Sequence, residues 1–171
     1  MIRSAELRDA RGIGALKVRA WRAAYGEFMS SDVLDALDPD READDWAGYL
    51  RSMPDGHRLW VAEREGTVEG FCRTGPAVDD ADLGDRAAEI YGLYIAPERI
   101  GSGLGARLFR HAVLDLRRRG HRPLCLYVYA PNRRARDFYR RAGFEPDGAT
   151  RLDEADGTGV AELRLVQGRA G

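Results

Sequence analysis

The chain has few cysteines and no charge excess of either sign. Cys72 and Cys125 stand far apart, in no metal-ligand spacing. They read as reduced, buried thiols of a cytoplasmic protein rather than as a disulfide. Lys and Arg number 27 against 28 Asp and Glu, a net charge of -1, so the basic surplus of a general nucleic-acid binder is missing. Long hydrophobic runs are missing too, since none approaches the roughly 20 residues of a membrane span. The opening "MIRSAELRDARGIG" has no apolar signal core. These absences point to the cytoplasm, with neither nucleic acid nor membrane as partner. The three histidines, His57, His111 and His121, are scattered, and no metal site is expected. Repeats, low-complexity tracts and linkers are absent as well. What remains is 171 residues, 44% hydrophobic and 32% charged, enough for a single domain over residues 1–171 with its own core.

Local patterns give the order of elements. "IRSAEL" fits a short strand, and Asp9 is placed to cap a helix carrying Ile13, Leu16, Ala20, Ala24 and Phe28 near helical spacing. Trp21 and Tyr25 lie one turn apart on its flank, where their rings can stack. "SSDVLDALD" fits a second helix, and a third starts at Asp38 as cap with Pro39 at its first position. "RLWVAEREGTVEGFCRTG" predicts a hairpin turning at Gly66, followed by the acidic loop "PAVDDADLGD". "AAEIYGLYIAP" is a strand stopped by Pro97. A helix over about Gly103–Arg119 should bury Leu104, Leu108, Phe109, Ala112, Val113 and Leu116, and end at Gly120. The apolar "PLCLYVYAP" reads as a central strand, Asn132 as the cap of a helix closed by Gly143, and two last strands flank "LDEADGT".

"ERIGSGLGARLF" sets Gly101, Gly103 and Gly105 at alternate positions in front of that fourth helix. A strand, a glycine turn and a helix N-terminus make an anion site, because the first helical N–H groups lack partners and the dipole adds positive potential. Glycines let a phosphate approach those amides without meeting a Cβ. The bland alternative is a tight left-handed turn. A nucleotide P-loop would need Lys and then Ser or Thr after the last glycine, where Ala106 and Arg107 stand. "GSGLGA" fits the loose dinucleotide pattern, but Pro97 to Ile100 separate it from its strand and no acidic residue follows the next one.

Two stretches carry a family resemblance. "EIYGLYIAPERIGSGLGARLF" and "LYVYAPNRRARDFYRRAGFE" resemble the acyl-CoA-binding core of the GNAT superfamily of N-acetyltransferases, over roughly Glu89–Glu145. The second holds that family's Asn-x-x-Ala-x-x-Phe-Tyr-x-x-x-Gly-Phe pattern at Asn132, Ala135, Phe138, Tyr139, Gly143 and Phe144. The resemblance implies an α/β fold of α+β type, with a mixed, centrally splayed sheet of six to seven strands flanked by about four helices. It implies acetyl-CoA as co-substrate and a primary amine, on a small molecule or a peptide, as acceptor. One residue departs from the pattern: where the family usually has Arg or Gln, three places before its middle loop glycine, this chain has Ile100, with Arg99 one place off.

By that resemblance, the backbone of Leu93, Tyr94 and Ile95 would hold the pantetheine arm, and Gly101, Ser102, Gly103, Leu104, Gly105 and Ala106 the pyrophosphate. Gly92 inside the strand fits a bulge that splays neighbours, or relief of crowding beside Tyr91 or Tyr94. An alkyl ammonium has a pKa of roughly 10, so a base must take its proton, and Glu89 matches the family's glutamate. Glu98 or a water chain stand behind it. Tyr139 matches the donor to the departing thiolate, and Asn132 is both helix cap and candidate cofactor contact. Trp21 and Tyr25 are candidates for the acceptor pocket, and the carboxylates of Asp79–Asp85 for attracting a cationic amine; core packing and a solvated turn are the plainer readings. A covalent route through Cys72 or Cys125 is disfavoured by the lack of a nearby base in sequence. The competing readings are an acyl-CoA-binding module without turnover and a dinucleotide-dependent oxidoreductase. A surface-lying last strand would suit a homodimer, and the acceptor is not named by the sequence.

Overall fold

The structure, a computed structural model, describes residues 1–152 and 157–168. Seven strands form one mixed sheet in the order β1-β2-β3-β4-β5-β7-β6. They are β1 (Ile2–Ser4), β2 (Arg58–Arg64), β3 (Thr67–Pro76), β4 (Ala88–Ile95), β5 (Leu124–Tyr129), β6 (Glu145–Arg151) and β7 (Glu162–Gln167). Five helices surround it: α1 (Ala10–Tyr25), α2 (Ser31–Asp35), α3 (Pro39–Arg51), α4 (Leu104–Arg118) and α5 (Arg133–Arg141). The anticipated sheet is present, with the five helices that the local patterns set out. None of the helices is long and apolar enough to cross a membrane.

Most boundaries follow the predicted local chemistry. The Asp38 carboxylate accepts from the amides of Asp40 and Arg41 with Pro39 at the first helical position, and Asn132 Oδ1 accepts from Ala135 N–H. Gly66, Gly120 and Gly143 sit at positive φ, where an L side chain is strained. The start of α1 differs. Asp9 does not cap it; its carboxylate accepts from Glu6 N–H and binds Arg3 at 2.7 Å, closing a single 3-10 turn over Leu7–Asp9. Bidentate pairing with arginine is a stronger claim on that carboxylate than a helix amide. Phe28 also falls beyond α1, which stops at Tyr25.

Two apolar layers sandwich the sheet. On one face α4 lays Leu104, Leu108, Phe109, Ala112 and Leu116 over Ala88, Ile90, Leu124 and Leu126. On the other, α1 and α3 pack Ile13, Leu16 and Trp46 against Leu59, Val61 and Phe71. Gly14 permits the close α1–α3 approach, since a Cβ there would lie 2.6 Å from the backbone nitrogen of Ala43.

The sheet is interrupted where it matters for function. β4 and β5 are parallel and pair only over Ala88–Ile90 and Leu124–Leu126. Beyond that, β4 keeps to β3 and β5 keeps to β7. The divergence starts at a bulge: Arg73 on β3 opposes Gly92 and Thr74 opposes Ile90, so Tyr91 is the extra residue on β4. Gly92 serves both anticipated purposes, because a Cβ there would come within 2.7 Å of the Tyr94 ring.

Candidate active site

The parted strands open into a cavity of about 810 Å³. Leu93, Tyr94 and Ile95 line one wall and Tyr127, Val128 and Tyr129 the other. Those residues of β4 hydrogen-bond only toward β3, so their other backbone edge faces the gap unpaired. Backbone groups away from water need partners. An extended, amide-bearing ligand arm would supply them as a missing strand does.

At one end of the cavity lies the glycine turn. Gly101 and Gly103 have φ of +85° and +79°, and Gly103 is the left-handed N-cap of α4. Among the described residues the amides of Gly101, Gly103, Gly105 and Ala106 find no acceptor, while Leu104 N–H has only a long 3.4 Å contact to Ser102 Oγ. Ser102 Oγ itself donates to Arg99 O at 2.6 Å. The mouth is thus unplugged, four free N–H groups at a helix N-terminus. Gly101, Gly103, Gly105 and Ala106 line the cavity together with Asn132, whereas Ser102 and Leu104 turn away. Arg99 also reaches the lining, though Glu69 holds it at 3.3 Å, and Ile100 is 41% exposed.

Tyr139 stands on α5 with its ring 5.4 Å from Phe109, and it lines the same cavity. No described residue hydrogen-bonds its hydroxyl, and burial raises its pKa above that of a free phenol, so it holds its proton at neutral pH. Of the two anticipated acceptor-side rings, the structure brings only Tyr25 to the cavity. Trp21 is buried edge-on against Tyr25 and Tyr129, at centroid separations of 5.0 and 6.3 Å, in the core beneath α1 and α2.

Glu89 points to the opposite face from α4 and is 1% exposed, behind the cavity wall rather than in it. Burial pushes its pKa up to about 7, against the opposing pull of Arg151. Arg151 Nη1 lies 3.5 Å from Glu89 Oε1, and that oxygen accepts no hydrogen bond from the described residues. Glu98, the alternative base, is exposed and tied to Arg19 on the surface.

Sequence reasoning missed the residues that surround Glu89. Arg151 at the end of β6 covers it, stacks over the Tyr127 ring at 3.7 Å and bonds Glu162 at 2.7 Å. Glu162, opposite Arg151 in the β6–β7 register, lines the cavity. The acidic loop is not solvated throughout: Asp79 and Asp85 are exposed, but Asp80 is buried. Asp80 is 2% exposed and takes hydrogen bonds from Tyr127 Oη and Arg164 Nη1, while Asp82 and Asp147 grip the same guanidinium at 2.6 and 2.7 Å. A buried arginine on β7 thus claims two of the loop's carboxylates, Asp80 and Asp82. No signal in the loop itself announces this, since its partner lies over eighty residues away. The expected loop around "LDEADGT" falls partly outside the described residues. Both cysteines are free and buried, and desolvation pushes the Cys72 thiol up to about 12, which removes it as a nucleophile.

Comparison with known proteins agrees with this geometry. The family model for the acetyltransferase (GNAT) family matches residues 18–144. The uncharacterized N-acetyltransferase YuaI of Bacillus subtilis is 29% identical over 155 residues, 83% of this chain and 86% of its own. A mycothiol acetyltransferase of Thermobifida fusca is 36% identical over 125 residues, 71% of this chain but 37% of the longer relative. Among solved structures, the PaiA N-acetyltransferase of Thermoplasma acidophilum in complex with coenzyme A superposes with a TM-score of 0.75 at 17% identity, covering 98% of each chain. At that identity the superposition shows the fold alone.

Proposed function

The chain belongs to the acetyltransferase (GNAT) family, and we propose that it moves an acetyl group from acetyl-CoA to a primary amine by direct attack in a ternary complex. The observation that carries this reading is the unpaired edge of β4, running from four free amides at the α4 mouth to the hydroxyl of Tyr139. These residues fit the co-substrate. The amides of Gly101, Gly103, Gly105 and Ala106 would hold its pyrophosphate, and the backbone of Leu93–Ile95 its pantetheine amides. When bound, acetyl-CoA supplies the thioester at whose carbonyl carbon the C–N bond forms and the C–S bond breaks.

The chain's own residues handle the protons. Glu89 takes the ammonium proton, and its raised pKa of about 7 brings it closer to the amine's than an ordinary carboxylate. Its seclusion behind the wall favours transfer through a water that bonds the orphaned Oε1. Tyr139 gives its phenolic proton to the departing thiolate, whose own pKa is near 8.5. Asn132 lines the cavity while its Oδ1 is spent on the α5 cap. The relatives act, by their names, on small molecules such as mycothiol, and the acceptor here is an amine of that order or a peptide end. The test is release of free CoA with an amine panel, in wild type and Tyr139→Phe. A fall of about a hundredfold or more, at unaltered CoA affinity, is expected from loss of a proton donor. Equal rates reject the donor role, and tight CoA binding without turnover on any amine favours a binding module.

A further inference from the structure

An arginine without an acidic partner stands beside the candidate base. Arg73, on β3, makes no ion pair and no hydrogen bond among the described residues. Instead its guanidinium lies over two tyrosine rings, 4.6 Å from the centroid of Tyr91 and 5.3 Å from that of Tyr49 on α3. The other buried or half-buried arginines on this face, Arg151 and Arg164, each have carboxylates within 3 Å. Aromatic faces hold a guanidinium flat but leave its N–H fork unsatisfied at the edge, and that fork matches a carboxylate.

The carboxylates whose charge reaches Tyr91, under Arg73, are Glu89 and Asp79, and neither pairs with the arginine. His57 stacks on Tyr91 at 5.4 Å with its Nδ1 3.0 Å from Tyr49 Oη, and burial together with Arg73 and Arg119 holds its pKa below the ordinary imidazole value. Arg119 is nearby on Gly56 O and Asp115. Glu89 feels the charge of Arg73 but is already covered by Arg151. Arg73 is half-buried, so its fork is reachable from solvent and free to take an incoming anion in a charge-assisted pair.

Position ties this fork to the reaction. Gly75 opposes Glu89 in the β3–β4 register, and Arg73 sits two residues back along β3, on the same face. Such diagonal neighbours lie about 7–8 Å apart in a regular ladder, and the bulge at Tyr91 widens this locally. Tyr91 joins the two places, since it lines the main cavity and carries Arg73 on its ring. The interval suits one small molecule with an amine at one end and an anion at the other.

We propose that Arg73, held between Tyr49 and Tyr91, receives the carboxylate of the acceptor, so that the amine acetylated belongs to an amino acid. This deepens the transferase reading and rests on it for the identity of the reaction, while the anion site itself stands on the arginine's geometry. The nitrogen is then oriented toward Glu89 by a charge-assisted fork at the far end of the molecule.

The experiment sets free amino acids against their decarboxylated amines and their carboxamides, with CoA release and calorimetry as parallel readouts. For the amino acid that is used, kcat/KM should exceed that of its decarboxylated partner by about tenfold to a hundredfold, the size of one charged hydrogen-bond pair. In Arg73→Met that preference should collapse through KM. Arg73→Lys should restore part of it, because the charge returns without the fork. CoA affinity and melting temperature report whether each variant is folded. Amines accepted without regard to a carboxylate, or a preference that survives in Arg73→Met, overturn the proposal. Arg73-dependent binding of amino acids by a chain that acetylates nothing would sink the transferase reading and leave the anion site standing. Absence of both turnover and amino-acid binding would sink the two together.

Discussion

The two ends of the cleft are built from different materials. At the end proposed for the cofactor, what faces the cavity is backbone: free amides at the α4 mouth and the unpaired edge of Leu93–Ile95. At the end proposed for the acceptor it is side chains: Tyr127 of β5 and Glu162 of β7 line the cavity, with Glu89 of β4, Arg151 of β6 and Arg73 of β3 behind them. A backbone site tolerates most replacements except those at its glycines. A side-chain site tolerates few, because each member sets the charge or position of the next. Replacing a residue at one end should therefore leave the other end's measured property intact.

Glu89→Gln is the largest blow to the acceptor end. Loss of a general base costs about a thousandfold in kcat, with CoA affinity unchanged. In the wild type, kcat/KM should rise with pH through about 7, as the carboxyl ionises. The same group predicts an inverse effect on stability. Its folded pKa is raised from 4.5 to about 7, so its favourable contribution is full below 4.5 and is lost as pH rises through 7. The glutamine variant should then outlast the wild type in urea above pH 7 by about 2–3 kcal/mol, a gap that closes below pH 5. Arg151 keeps Glu162 in either case. An equal urea midpoint for both proteins across pH 5 to 8 would mean that Glu89 is not held in a desolvated place.

Arg164→Met tests the frame under the acceptor end. It leaves Asp80, 2% exposed, with neutral donors and no counter-charge from β7, and removes a partner of Asp82 and Asp147. Breaking a buried pair by deleting one member costs about 3 kcal/mol, which for a domain of this size lowers the melting temperature by about 6–12 °C. CoA should still bind at low temperature, since no amide of the α4 mouth touches this network.

The difference in material also explains what could be read from the sequence. Backbone sites leave local traces: the glycines before α4, Gly92 at the bulge, Pro97 after β4 and the Asn132 cap are each visible within a dozen residues. Helices α3 and α4 and the β2–β3 hairpin were legible for the same reason. The side-chain constellation is not local. Arg151 reaches Glu89 across sixty residues, and Arg164 reaches Asp80 across more than eighty, through a β5–β7–β6 pairing that no local pattern encodes. The acidic loop invited a reading as bait for an amine because its counter-charge was out of sight. Asp9 misled similarly, its carboxylate being claimed by Arg3 of β1 rather than by α1. Trp21 and Tyr25 share a helix flank, yet only the tyrosine reaches the cavity, the tryptophan packing with Met29, Leu34 and Tyr129.

Gly103→Val strikes the cofactor end. The residue holds φ at +79°, where a β-branched side chain pays about 1–2 kcal/mol in strain, and the new Cβ stands where a phosphate must approach the amides. Losing one or two charge-assisted hydrogen bonds weakens CoA binding by about thirtyfold to a hundredfold, read by calorimetry. Turnover at saturating acetyl-CoA should stay within a few-fold. A large fall in kcat instead, at unaltered affinity, would break the division between the two ends.

Ile100→Arg asks whether the cofactor end uses side chains at all. Family members usually carry a basic or amide residue at this place, and here the isoleucine is 41% exposed beside the free amides. Arg99, one residue earlier, reaches the cavity lining but is held by Glu69 at 3.3 Å, so it does not simply replace the missing charge. If the amides carry the phosphate grip, a new exposed guanidinium adds only the worth of a surface ion pair, about 0.5–1 kcal/mol. That is a twofold to fivefold gain in CoA affinity, and it should fade as salt is raised because exposed charges are screened. A gain of a hundredfold or more would mean that this chain's mouth is handicapped without the side chain, and that amides alone do not hold the diphosphate.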